Sequence, residues 1–517
     1  MPPAPELPEI CVAVGVGDTR QAEATALAAL DRGETFLELR LDLLAIPQDG
    51  PGIIRRIRDG HPEARILATC RREGSGGRYR GSIEGQLALL RAAVSAGAAL
   101  ADIEIETIED APNALESFRG TAATVASYHN FERTPALGTV VRRLHRTGAD
   151  IFKVATAVRR PSDNLKLLAL CRDHPNMIVA GMGETGAATR LVSPARGGLF
   201  SYVAPDPFMP RDDVEGAAVR ALPTAPGQVL ASSARELYRI HRHSAQSEVY
   251  AVIAKPVGHS KSPQIHNRAF IKTGYDAIYI PLLVEAGDIG DFFVLLRQLP
   301  LSGVSVTIPH KQSVIPHLDA VEESARGIGA VNTIYWRDGR LVGTNTDASG
   351  ITVPLAKRAA IRNSRALVVG NGGAAKAAVV ALKLEGADVT VTGRNPRRVQ
   401  GLARLHGVSA IDFEDAGNRR FDILIQATSV GMAPNDNHTL FPGRIPAEVV
   451  FDLVYNPLET TLLRDARAQS KVVISGIEMF IEQAAAQFEI WTGLDAPRQV
   501  MREAVLGRKV KHAGQSP

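Results

Sequence analysis

Residues 150–156 read Asp-Ile-Phe-Lys-Val-Ala-Thr and place one lysine, Lys153, in the middle of an apolar, strand-like run. Burying an ammonium group is costly, and desolvation favours the neutral amine, which can attack a carbonyl carbon and form a Schiff base. The more common alternatives are a lysine that reaches solvent from a strand end or one that joins a buried ion pair. The stretch therefore predicts a strand and suggests amine catalysis, which the neighbouring sequence must support.

Strand-like runs alternate with amphipathic helical stretches on both sides of this segment, from residue 9 to residue 243. The alternation is typical of a parallel sheet with crossover helices. Eight such units predict a closed (β/α)8 barrel, whose active site lies at the carboxyl ends of the strands. The predicted strands are Ile10–Gly15, Phe36–Leu43, Arg65–Cys70, Leu100–Ile105, Ala122–Tyr128, Asp150–Ala155, Met177–Met182 and Leu199–Val203.

Polar side chains collect at these predicted strand ends. Glu38, Arg40 and Asp42 alternate with leucines and so share one face, which is the interior in a barrel. Buried charges persist either as a mutually paired network or as ligand contacts, and both possibilities stay open for this trio. Further polar residues lie on the later strands or in the loops that follow them: Arg71 at the end of the third strand, Asp102 and Glu104 on one face of the fourth, His129 at the end of the fifth, Arg190 in the loop after the seventh, and Thr224 and Gln228 in the loop after the eighth. Lysine, histidine and arginines around one mouth favour an active site.

On these residues, positions 9–243 resemble the type I 3-dehydroquinate dehydratases. The matching motifs are Glu-Leu-Arg-Leu-Asp at 38–42, Ser-Tyr-His-Asn-Phe at 127–131, Phe-Lys-Val-Ala at 152–155, Gly-Met-Gly at 181–183 and Ala-Pro-Gly-Gln at 225–228. The resemblance implies that Lys153 forms an iminium with the ketone of 3-dehydroquinate and that His129 transfers the proton near its ordinary pKa. It also implies that Arg190 holds the substrate carboxylate, and that further substrate contacts come from Glu38, Arg40, Arg71, Thr224 and Gln228.

One departure from the family concerns the partner of His129. Many members place a glutamate immediately before the paired glycines that follow the third strand, where it orients the histidine. Here Ser75 stands at that place, in the loop Arg71-Arg-Glu-Gly-Ser-Gly-Gly77. Glu73 and Glu104 are the alternative partners, and the sequence leaves the choice between them open.

The second half opens after a predicted closing helix, Ser232–His243, and a polar linker at 244–248. Its first strand runs from Val249 into a hydroxyl-rich turn before a helix, where Ser260 and Ser262 stand; helix capping is the common alternative role for such serines. Later predicted strands end in Thr-Ile-Pro-His-Lys at 307–311, Ala-Val-Asn-Thr at 330–333 and Thr-Asn-Thr-Asp at 344–347. A polyol substrate needs such hydroxyl, amide and carboxylate partners.

Residues 365–375 read Arg-Ala-Leu-Val-Val-Gly-Asn-Gly-Gly-Ala-Ala, a strand followed by a glycine-rich turn and an alanine-rich helix. This is the dinucleotide-binding fingerprint, in which backbone amides and a helix start receive a pyrophosphate. The next strand ends at Thr392 and is followed by Arg394 and Arg398 rather than by a carboxylate, which favours NADP over NAD. A solvated basic turn is the alternative.

Residues 249 to about 507 resemble the shikimate dehydrogenases. Besides the motifs above, the likeness rests on Gly-His-Ser-Lys-Ser-Pro at 258–263, Ala-Thr-Ser-Val-Gly-Met at 427–432, Asp-Leu-Val-Tyr-Asn-Pro at 452–457 and Gly-Ile-Glu-Met at 476–479. It implies that Lys311 and Asp347 form the catalytic pair, and that the substrate contacts Ser260, Ser262, Thr307, Asn332, Tyr455 and Gln483. The implied cofactor-binding residues are Gly370, Asn371, Gly372, Gly373, Ala374, Arg394, Asn395, Arg398, Thr428 and Met432.

Composition sets the remaining expectations. The net charge of +4, without a basic stripe, gives no indication of nucleic-acid binding. Cys11, Cys70 and Cys171 fit neither a disulfide framework nor a metal site, so we expect no metal and a cytoplasmic location. We expect neither export nor a membrane span, because the sequence lacks an export signal and an apolar run of about eighteen residues.

We therefore predict an α/β protein with an N-terminal TIM barrel at 1–243 and a linker at 244–248. A substrate-binding domain at 249–350, completed by C-terminal helices at 476–510, then encloses a Rossmann NADP-binding domain at 351–475. The predicted function is the dehydration of 3-dehydroquinate to 3-dehydroshikimate, followed by reduction to shikimate with NADPH. The alternatives are a dehydratase fused to a quinate dehydrogenase and a ligand-sensing regulator derived from such domains. The sequence does not determine the oligomeric state.

Overall fold

The computed structural model describes residues 6–208, 223–434 and 436–507. The chain divides into two compact units: the first contains residues up to 251 with 255–258 and 276–301, and the second contains 252–254, 259–275 and 302 onward. The finer domain boundaries drawn from the sequence stay predictions, and residues 508–510 of the predicted C-terminal helices lie outside the described part. Within that part, each helix is too short or too polar to cross a membrane.

The first unit contains eight parallel strands with helices between them. The strands are β1 (Ile10–Val14), β2 (Phe36–Arg40), β3 (Arg65–Thr69), β4 (Leu100–Glu104), β5 (Ala123–Asn130), β6 (Ile151–Ala157), β7 (Met177–Met182) and β8 (Ser201–Val203). The helices are α1 (Thr19–Asp31), α2 (Gly50–Gly60), α3 (Ile83–Ser95), α4 (Ile105–Asp110), α5 (Leu137–Thr147), α6 (Asp163–Asp173) and α7 (Ala187–Val192). The strand order β7-β6-β5-β4-β3-β2-β1-β8 forms a nearly closed barrel and confirms the predicted fold.

Apolar side chains fill one end of the barrel, and the polar side chains lie toward the other. Phe36, Val125, Ile151 and Phe200 belong to one buried cluster near the strand starts. The functional residues follow later in the same strands, because side chains that point inward recur every second residue. The barrel therefore presents its polar groups at the carboxyl ends of the strands, as the sequence predicts.

The predicted closing helix Ser232–His243 is wrong as a continuous element. A π-helical turn, Ser233–Leu237, and a 3-10 turn, Ile240–Arg242, replace it. Arg239 between them has a φ of 49°, in the left-handed region. A residue in that region interrupts a right-handed helix, so two short turns form here.

The remaining strands are β9 (Glu248–Ala254), β10 (Ala277–Leu283), β11 (Leu301–Val306), β12 (Ala320–Val321), β13 (Thr333–Arg337), β14 (Arg340–Thr344), β15 (Arg365–Val369), β16 (Asp388–Thr392), β17 (Ser409–Ala410), β18 (Phe421–Gln426), β19 (Ala447–Asp452) and β20 (Val472–Ile474). The remaining helices are α8 (Ser262–Thr273), α9 (Ile289–Gln298), α10 (Glu323–Ile328), α11 (Asp347–Ala356), α12 (Gly373–Leu384), α13 (Pro396–His406), α14 (Phe413–Asn418), α15 (Thr461–Ala468), α16 (Gly476–Thr492) and α17 (Arg498–Val505). In the second unit, β13 pairs antiparallel with β11 and with β14.

The last six strands form a parallel sheet in the order β17-β16-β15-β18-β19-β20. Counted from β15, this order is 3-2-1-4-5-6, the doubly wound order of dinucleotide-binding folds. The strand order reverses between β15 and β18, and ligands of such sheets bind at that crevice. The predicted Rossmann topology is therefore confirmed.

A close backbone approach in the first unit gives a test of the fold. A Cβ atom at Gly186 would lie 2.5 Å from the carbonyl carbon of Gly181. We expect Gly186→Ala to cost about 1–3 kcal/mol, because neither backbone segment can yield easily. Differential scanning calorimetry should show a lower unfolding temperature, whereas Gly138→Ala on α5, whose Cβ would meet nothing nearer than 3.7 Å, should not lower it. Equal unfolding temperatures for the two variants would contradict this packing.

Candidate active sites

Lys153 lies on β6 inside a cavity of about 430 Å³ at the mouth of the barrel. Its Nζ donates a hydrogen bond to Asp102 Oδ2 at 2.9 Å and lies 3.8 Å from Glu38 Oε1. The same Nζ stands 4.1 Å from the ring centroid of Tyr202. The buried ion pair that the sequence left open as an alternative is therefore present, because β4 directs Asp102 into the same interior.

Asp102 is the common acceptor of three side chains. Besides Lys153, Arg71 Nη2 donates to its Oδ2 at 3.0 Å, and Ser127 Oγ donates to its Oδ1 at 2.6 Å. Burial raises the pKa of Asp102, but the positive charges of Lys153 and Arg71 outweigh burial and hold the pKa well below its ordinary value. The sequence placed Asp102 at a strand end but not among the functional residues. Its place on the strand next to the one that carries the Ser-Tyr-His motif could have identified Asp102 as a functional residue.

His129 contacts Arg71 rather than a carboxylate. Arg71 Nη1 donates to His129 Nε2, and His129 Nδ1 is buried with no hydrogen-bond partner among the described residues. The imidazole stacks on the ring of Phe131 with centroids 6.0 Å apart. Burial, together with the charges of Arg71 and Lys153, lowers the pKa of His129 well below its ordinary value. The expectation of a near-ordinary pKa is therefore wrong.

Neither alternative carboxylate contacts this histidine. Glu73 pairs with Arg80 at the surface. Glu104 accepts the backbone N–H of Arg72 at 2.7 Å and the side-chain amide of Gln86 at 2.6 Å. Glu73 was a candidate because it precedes Ser75 by two residues, and Glu104 was the other candidate. In the structure, both carboxylates instead bond to residues near the loop that follows β3.

Arg190 has the character of an anion site. It is buried, its Nε donates to Gly181 O at 3.1 Å, and its Nη2 donates to Pro226 O at 3.3 Å. No ion pair of the described residues uses it. Burial lowers its pKa to about 10. A buried guanidinium that has only carbonyl partners favours an incoming carboxylate.

The other predicted barrel residues are already engaged. Arg40 donates two hydrogen bonds to Asp42, at 2.9 and 2.8 Å. Glu38 accepts from Thr69 Oγ1 at 2.8 Å. Thr224 and Gln228 bond to each other at 3.1 Å through the hydroxyl and the amide nitrogen, and both line the cavity with Lys153. The cavity thus combines an amine, an imidazole, a free guanidinium and several polar groups.

A second lysine–carboxylate pair lies in the second unit. Lys311 Nζ donates to Asp347 Oδ2 at 2.5 Å. Asn332 Nδ2 donates to the other oxygen of Asp347 at 2.8 Å. Asp347 is buried at the start of α11, whereas the Lys311 side chain is 24% exposed. The pair can therefore exchange a proton with a ligand or with solvent.

Gln487 supports this pair and was missed from the sequence. It is buried on α16, and its Nε2 donates to Asn332 O at 3.1 Å and to Thr333 Oγ1 at 3.0 Å. Its Oε1 accepts from Ser305 at 2.9 Å. A glutamine four residues after Gln483, on the same face of a helix, was the signal that could have identified it.

The remaining predicted substrate contacts form two small groups, with Thr307 apart from both. The backbone N–H of Ser262 bonds to Ser260 Oγ at 3.3 Å, and Lys261 rather than a serine occupies the N-cap of α8. Tyr455 stacks on Phe480 with centroids 4.9 Å apart, and Gln483 donates to Phe480 O at 3.1 Å. The backbone of Thr307 bonds to Ile253 O at 3.2 Å, just before Lys311. The arrangement of these groups around Lys311 stays a prediction.

The glycine-rich turn is open at the start of α12. Gly370 has a φ of 132°, and a Cβ there would lie 2.8 Å from Ala427 O, so a side chain is excluded. At Gly372 and Gly373, a Cβ would meet nothing within 4 Å. The first amides of α12 carry no side-chain cap, which leaves them free for a pyrophosphate.

The arginines lie beside this turn. Val369 pairs with Thr392, so Arg394 follows next to the Gly370 turn. Arg394 and Arg398 are exposed, and no ion pair of the described residues uses them. Asn395 caps α13 by accepting the backbone N–H of Arg398 at 3.1 Å.

The loop after β18 completes the predicted cofactor site. Gln426 Nε2 donates to Val430 O at 2.8 Å, and Thr428 Oγ1 accepts the backbone N–H of Val430 at 3.1 Å. Met432 is 46% exposed. These residues fit a dinucleotide with an additional phosphate, because they follow β15, β16 and β18, and the switch point lies between β15 and β18.

Family models match both halves of the chain. Residues 10–245 match the model described as type I 3-dehydroquinase. Residues 252–334 match the shikimate dehydrogenase substrate binding domain, 354–435 match shikimate/quinate 5-dehydrogenase, and 476–506 match the shikimate 5'-dehydrogenase C-terminal domain.

Curated relatives cover the same regions. A bifunctional 3-dehydroquinate dehydratase/shikimate dehydrogenase, chloroplastic, from Arabidopsis thaliana is 31% identical over 95% of this chain and 83% of that protein. The shikimate dehydrogenase (NADP(+)) of Maridesulfovibrio salexigens is 38% identical over 50% of this chain and 96% of that protein. The crystal structure of shikimate 5-dehydrogenase from Thermus thermophilus, in complex with NADP(H) and shikimate, is 35% identical, covers 50% of this chain and 99% of its own, and has a TM-score of 0.47.

The shared carboxylate of the barrel predicts a coupled effect on stability. Asp102→Asn should cost about 3–5 kcal/mol, because the buried charges of Lys153 and Arg71 lose their counterion. Adding Lys153→Met to that variant should recover part of the loss, although Lys153→Met alone should not stabilise the protein. Thermal unfolding of the four proteins at neutral pH measures this coupling, and additive effects would contradict it.

The stabilisation that Asp102 provides should depend on pH. The folded-state pKa of Asp102 is depressed, so its stabilising contribution is present above the ordinary carboxyl pKa of about 4 and is lost as the pH falls below it. The difference in stability between the original protein and Asp102→Asn should therefore shrink on acidification.

Proposed function

The chain belongs to the family of bifunctional 3-dehydroquinate dehydratase/shikimate dehydrogenases, and on this premise we propose how its own residues perform the two reactions. It is a lyase and an NADP-dependent oxidoreductase of the shikimate pathway. The observation that carries the residue assignment is the presence of two separate lysine–carboxylate sites, Lys153 with Asp102 and Lys311 with Asp347. Each site lies within one compact unit.

In the barrel, Lys153 is the nucleophile. Its ammonium must first release a proton, after which the amine attacks the ketone carbon of 3-dehydroquinate and water leaves to give an iminium. The positive nitrogen acidifies the adjacent C–H bond. Asp102 and the ring of Tyr202 lie beside the lysine nitrogen. They stabilise positive charge at this nitrogen both before and after attack.

His129 transfers the proton. The neutral imidazole removes the proton beside the iminium and later returns one to the hydroxyl group that departs as water, so that the base is regenerated. Hydrolysis of the iminium then releases 3-dehydroshikimate and restores Lys153. The low pKa of His129 keeps the imidazole neutral in the free protein and makes its protonated form a strong acid.

Arg190 binds the carboxylate of the substrate. Its guanidinium is buried near Gly181 and Pro226 and provides the charge that an anion needs inside the cavity. Thr224 and Gln228, which bond to each other on the same cavity wall, contact substrate hydroxyls. Carboxylate recognition at one side and the ketone at Lys153 fix the orientation of the ring between them.

In the second unit, Lys311 and Asp347 handle the proton on the reacting oxygen. The glycine-rich turn at 370–373 and Arg394 would hold NADPH, which would supply the hydride for reduction of the carbonyl of 3-dehydroshikimate. The ammonium of Lys311 donates a proton to the developing alkoxide, and Asp347 stabilises the ammonium beforehand. Asn332 holds the second oxygen of Asp347, so that the carboxylate keeps its orientation while the lysine turns to the substrate.

The product of the first reaction is the substrate of the second. A single chain keeps the two activities at equal stoichiometry and raises the local concentration of the second site. A cytoplasmic location is part of the proposal and is supported by three buried free cysteines, although the Arabidopsis relative is described as chloroplastic. Small molecules are the proposed partners.

A coupled assay tests both sites together. With 3-dehydroquinate and NADPH, the protein should form shikimate and oxidise NADPH, as followed by absorbance and product chromatography. Lys311→Met should stop at 3-dehydroshikimate, with NADPH oxidation reduced by at least about 100-fold, because the proton donor is absent. Lys153→Met should leave 3-dehydroquinate unconsumed.

The matched control is the addition of 3-dehydroshikimate. It should restore NADPH oxidation to Lys153→Met and should have no effect on Lys311→Met. Loss of both reactions in either single variant, with the fold intact by circular dichroism, would contradict two separable sites.

The arginines after β16 test cofactor choice and the quinate alternative. Arg394→Gln should raise KM for NADPH by about 10-fold or more and should leave KM for NADH nearly unchanged, because only NADPH carries the 2′-phosphate. Arg404→Gln, on the helix α13 that follows the turn, is the matched control. Equal weakening of both cofactors, or oxidation of quinate with NAD in preference to shikimate with NADP, would contradict the assignment.

A further inference from the structure

The two ring nitrogens of His129 have unlike surroundings. Nε2 contacts Arg71 Nη1, whereas Nδ1 is buried without a hydrogen-bond partner among the described residues. A guanidinium has only N–H donors and does not lose its proton in proteins, so it cannot accept a hydrogen bond. Nε2 must therefore be the acceptor in this contact, and the proton of a neutral imidazole must reside on Nδ1.

Arg71 is itself rigidly held. Its Nη2 donates to Asp102 Oδ2 at 3.0 Å, and its carbonyl oxygen accepts the backbone N–H of Tyr79 at 3.1 Å. A Cβ at Gly77 would lie 2.0 Å from the same carbonyl oxygen, so the loop packs directly on the Arg71 backbone. Ser127 and Lys153 in turn fix Asp102. Arg71 is thus held at its backbone and at Nη2, whereas its Nε is buried without a hydrogen-bond partner among the described residues.

The charged groups that face His129 come from four neighbouring strands or their ends. Arg71 follows β3, Lys153 lies on β6 and Arg40 ends β2, and all three carry positive charge. Asp102 on β4 carries the main opposing charge among the described residues, and Glu38 lines the same cavity. The ring of Phe131 covers one face of the imidazole. Positive groups therefore outnumber negative groups around the ring, which disfavours the imidazolium.

We propose that Arg71, anchored by Asp102, is the positioning residue of His129 and holds the imidazole of the free protein in its neutral Nδ1–H tautomer. Arg71 thereby takes the place that a carboxylate would occupy if Ser75 were a glutamate. A carboxylate would accept a proton from the ring and favour the imidazolium, whereas Arg71 donates to the ring and opposes it. The inference rests on the proposed function in one respect, because it takes His129 as the base of the dehydration.

This arrangement has a consequence for the proton path. The lone pair that must accept the substrate proton is on Nε2, and Arg71 covers it in the free protein. A bound substrate must therefore displace the Arg71 N–H before the C–H proton passes to Nε2. The same proton then leaves Nε2 for the departing hydroxyl group as water forms, and the contact with Arg71 is restored. The proton count on His129 is unchanged over one cycle.

The tautomer can be observed directly in the full-length protein without substrate. Nitrogen-15 NMR of histidine-labelled protein distinguishes protonated from unprotonated ring nitrogens, and His129→Gln assigns the signals of His129 by their loss. We expect a protonated Nδ1 and an unprotonated Nε2, and we expect this state to persist at pH 6, where an ordinary histidine with a pKa of about 6.5 is mostly charged. A protonated Nε2, or an imidazolium at pH 6, would overturn the proposal.

A pair of arginine variants tests the cause. Arg71→Gln should raise the titration midpoint of His129 by about one to three pH units, because an adjacent positive charge is removed. Arg72→Gln removes the neighbouring arginine, which lies outside the cavity lining, and should leave the midpoint unchanged. Equal midpoints for Arg71→Gln and the original protein, or equal shifts in both variants, would overturn the proposal. If Arg71→Gln does not fold, the tautomer of the original protein decides.

Failure of this inference and failure of the proposed function are separable. The NMR measurement requires neither substrate nor turnover. Absence of dehydration by the original protein would reject the function while the tautomer could still be as inferred. Active protein with the opposite tautomer would reject the inference alone.

Discussion

The carboxylate of Asp102 is the interaction on which the barrel site depends. It is buried, and it accepts hydrogen bonds from Lys153, Arg71 and Ser127, which come from three different parts of the barrel wall. Two buried cations near one another would repel and would each lack solvation, so one shared anion allows both to remain inside. Through Arg71 the same carboxylate also determines the position of His129. Nucleophile and base are therefore arranged by a group that reacts with neither carbon nor oxygen of the substrate.

The fold could be predicted from the sequence because its signals are local and repeated. Eight apolar runs alternate with helical stretches, and the glycine turn at Gly370 follows a strand and precedes a helix. The prediction of a closing helix was wrong because the backbone interrupts a periodic pattern. Residues 232–243 have helical periodicity, but Arg239 adopts a left-handed conformation and divides the segment. Periodicity reports which face is apolar, and it carries no information on a single residue that leaves the helical region.

The sequence predicted which residues line the barrel site but not which of them contact each other. Lys153, His129 and Arg190 line one cavity, as their positions at strand ends suggested. Their partners follow from how side chains on different strands meet across the interior, and that geometry is absent from a linear sequence. Asp102 and Arg71 were each visible as polar residues, but the sequence could not show that one holds the other. Glu73 and Glu104 were the carboxylates that the sequence offered as partners of His129, yet Arg80 and Gln86 engage them.

Lys153 and Lys311 show how the same type of ion pair can serve different chemistry. Lys153 is almost fully buried, and its carboxylate partner is shared with an arginine, so release of its proton leaves Asp102 with a remaining counterion. That arrangement suits a nucleophile, which must become neutral before it attacks. Lys311 is partly exposed, and the amide of Asn332 rather than a second cation supports its partner Asp347. Loss of its proton would leave that carboxylate without a cationic partner among the described residues. A lysine with this partner suits repeated proton donation. The difference between the two lysines arises from the second group that donates a hydrogen bond to each carboxylate.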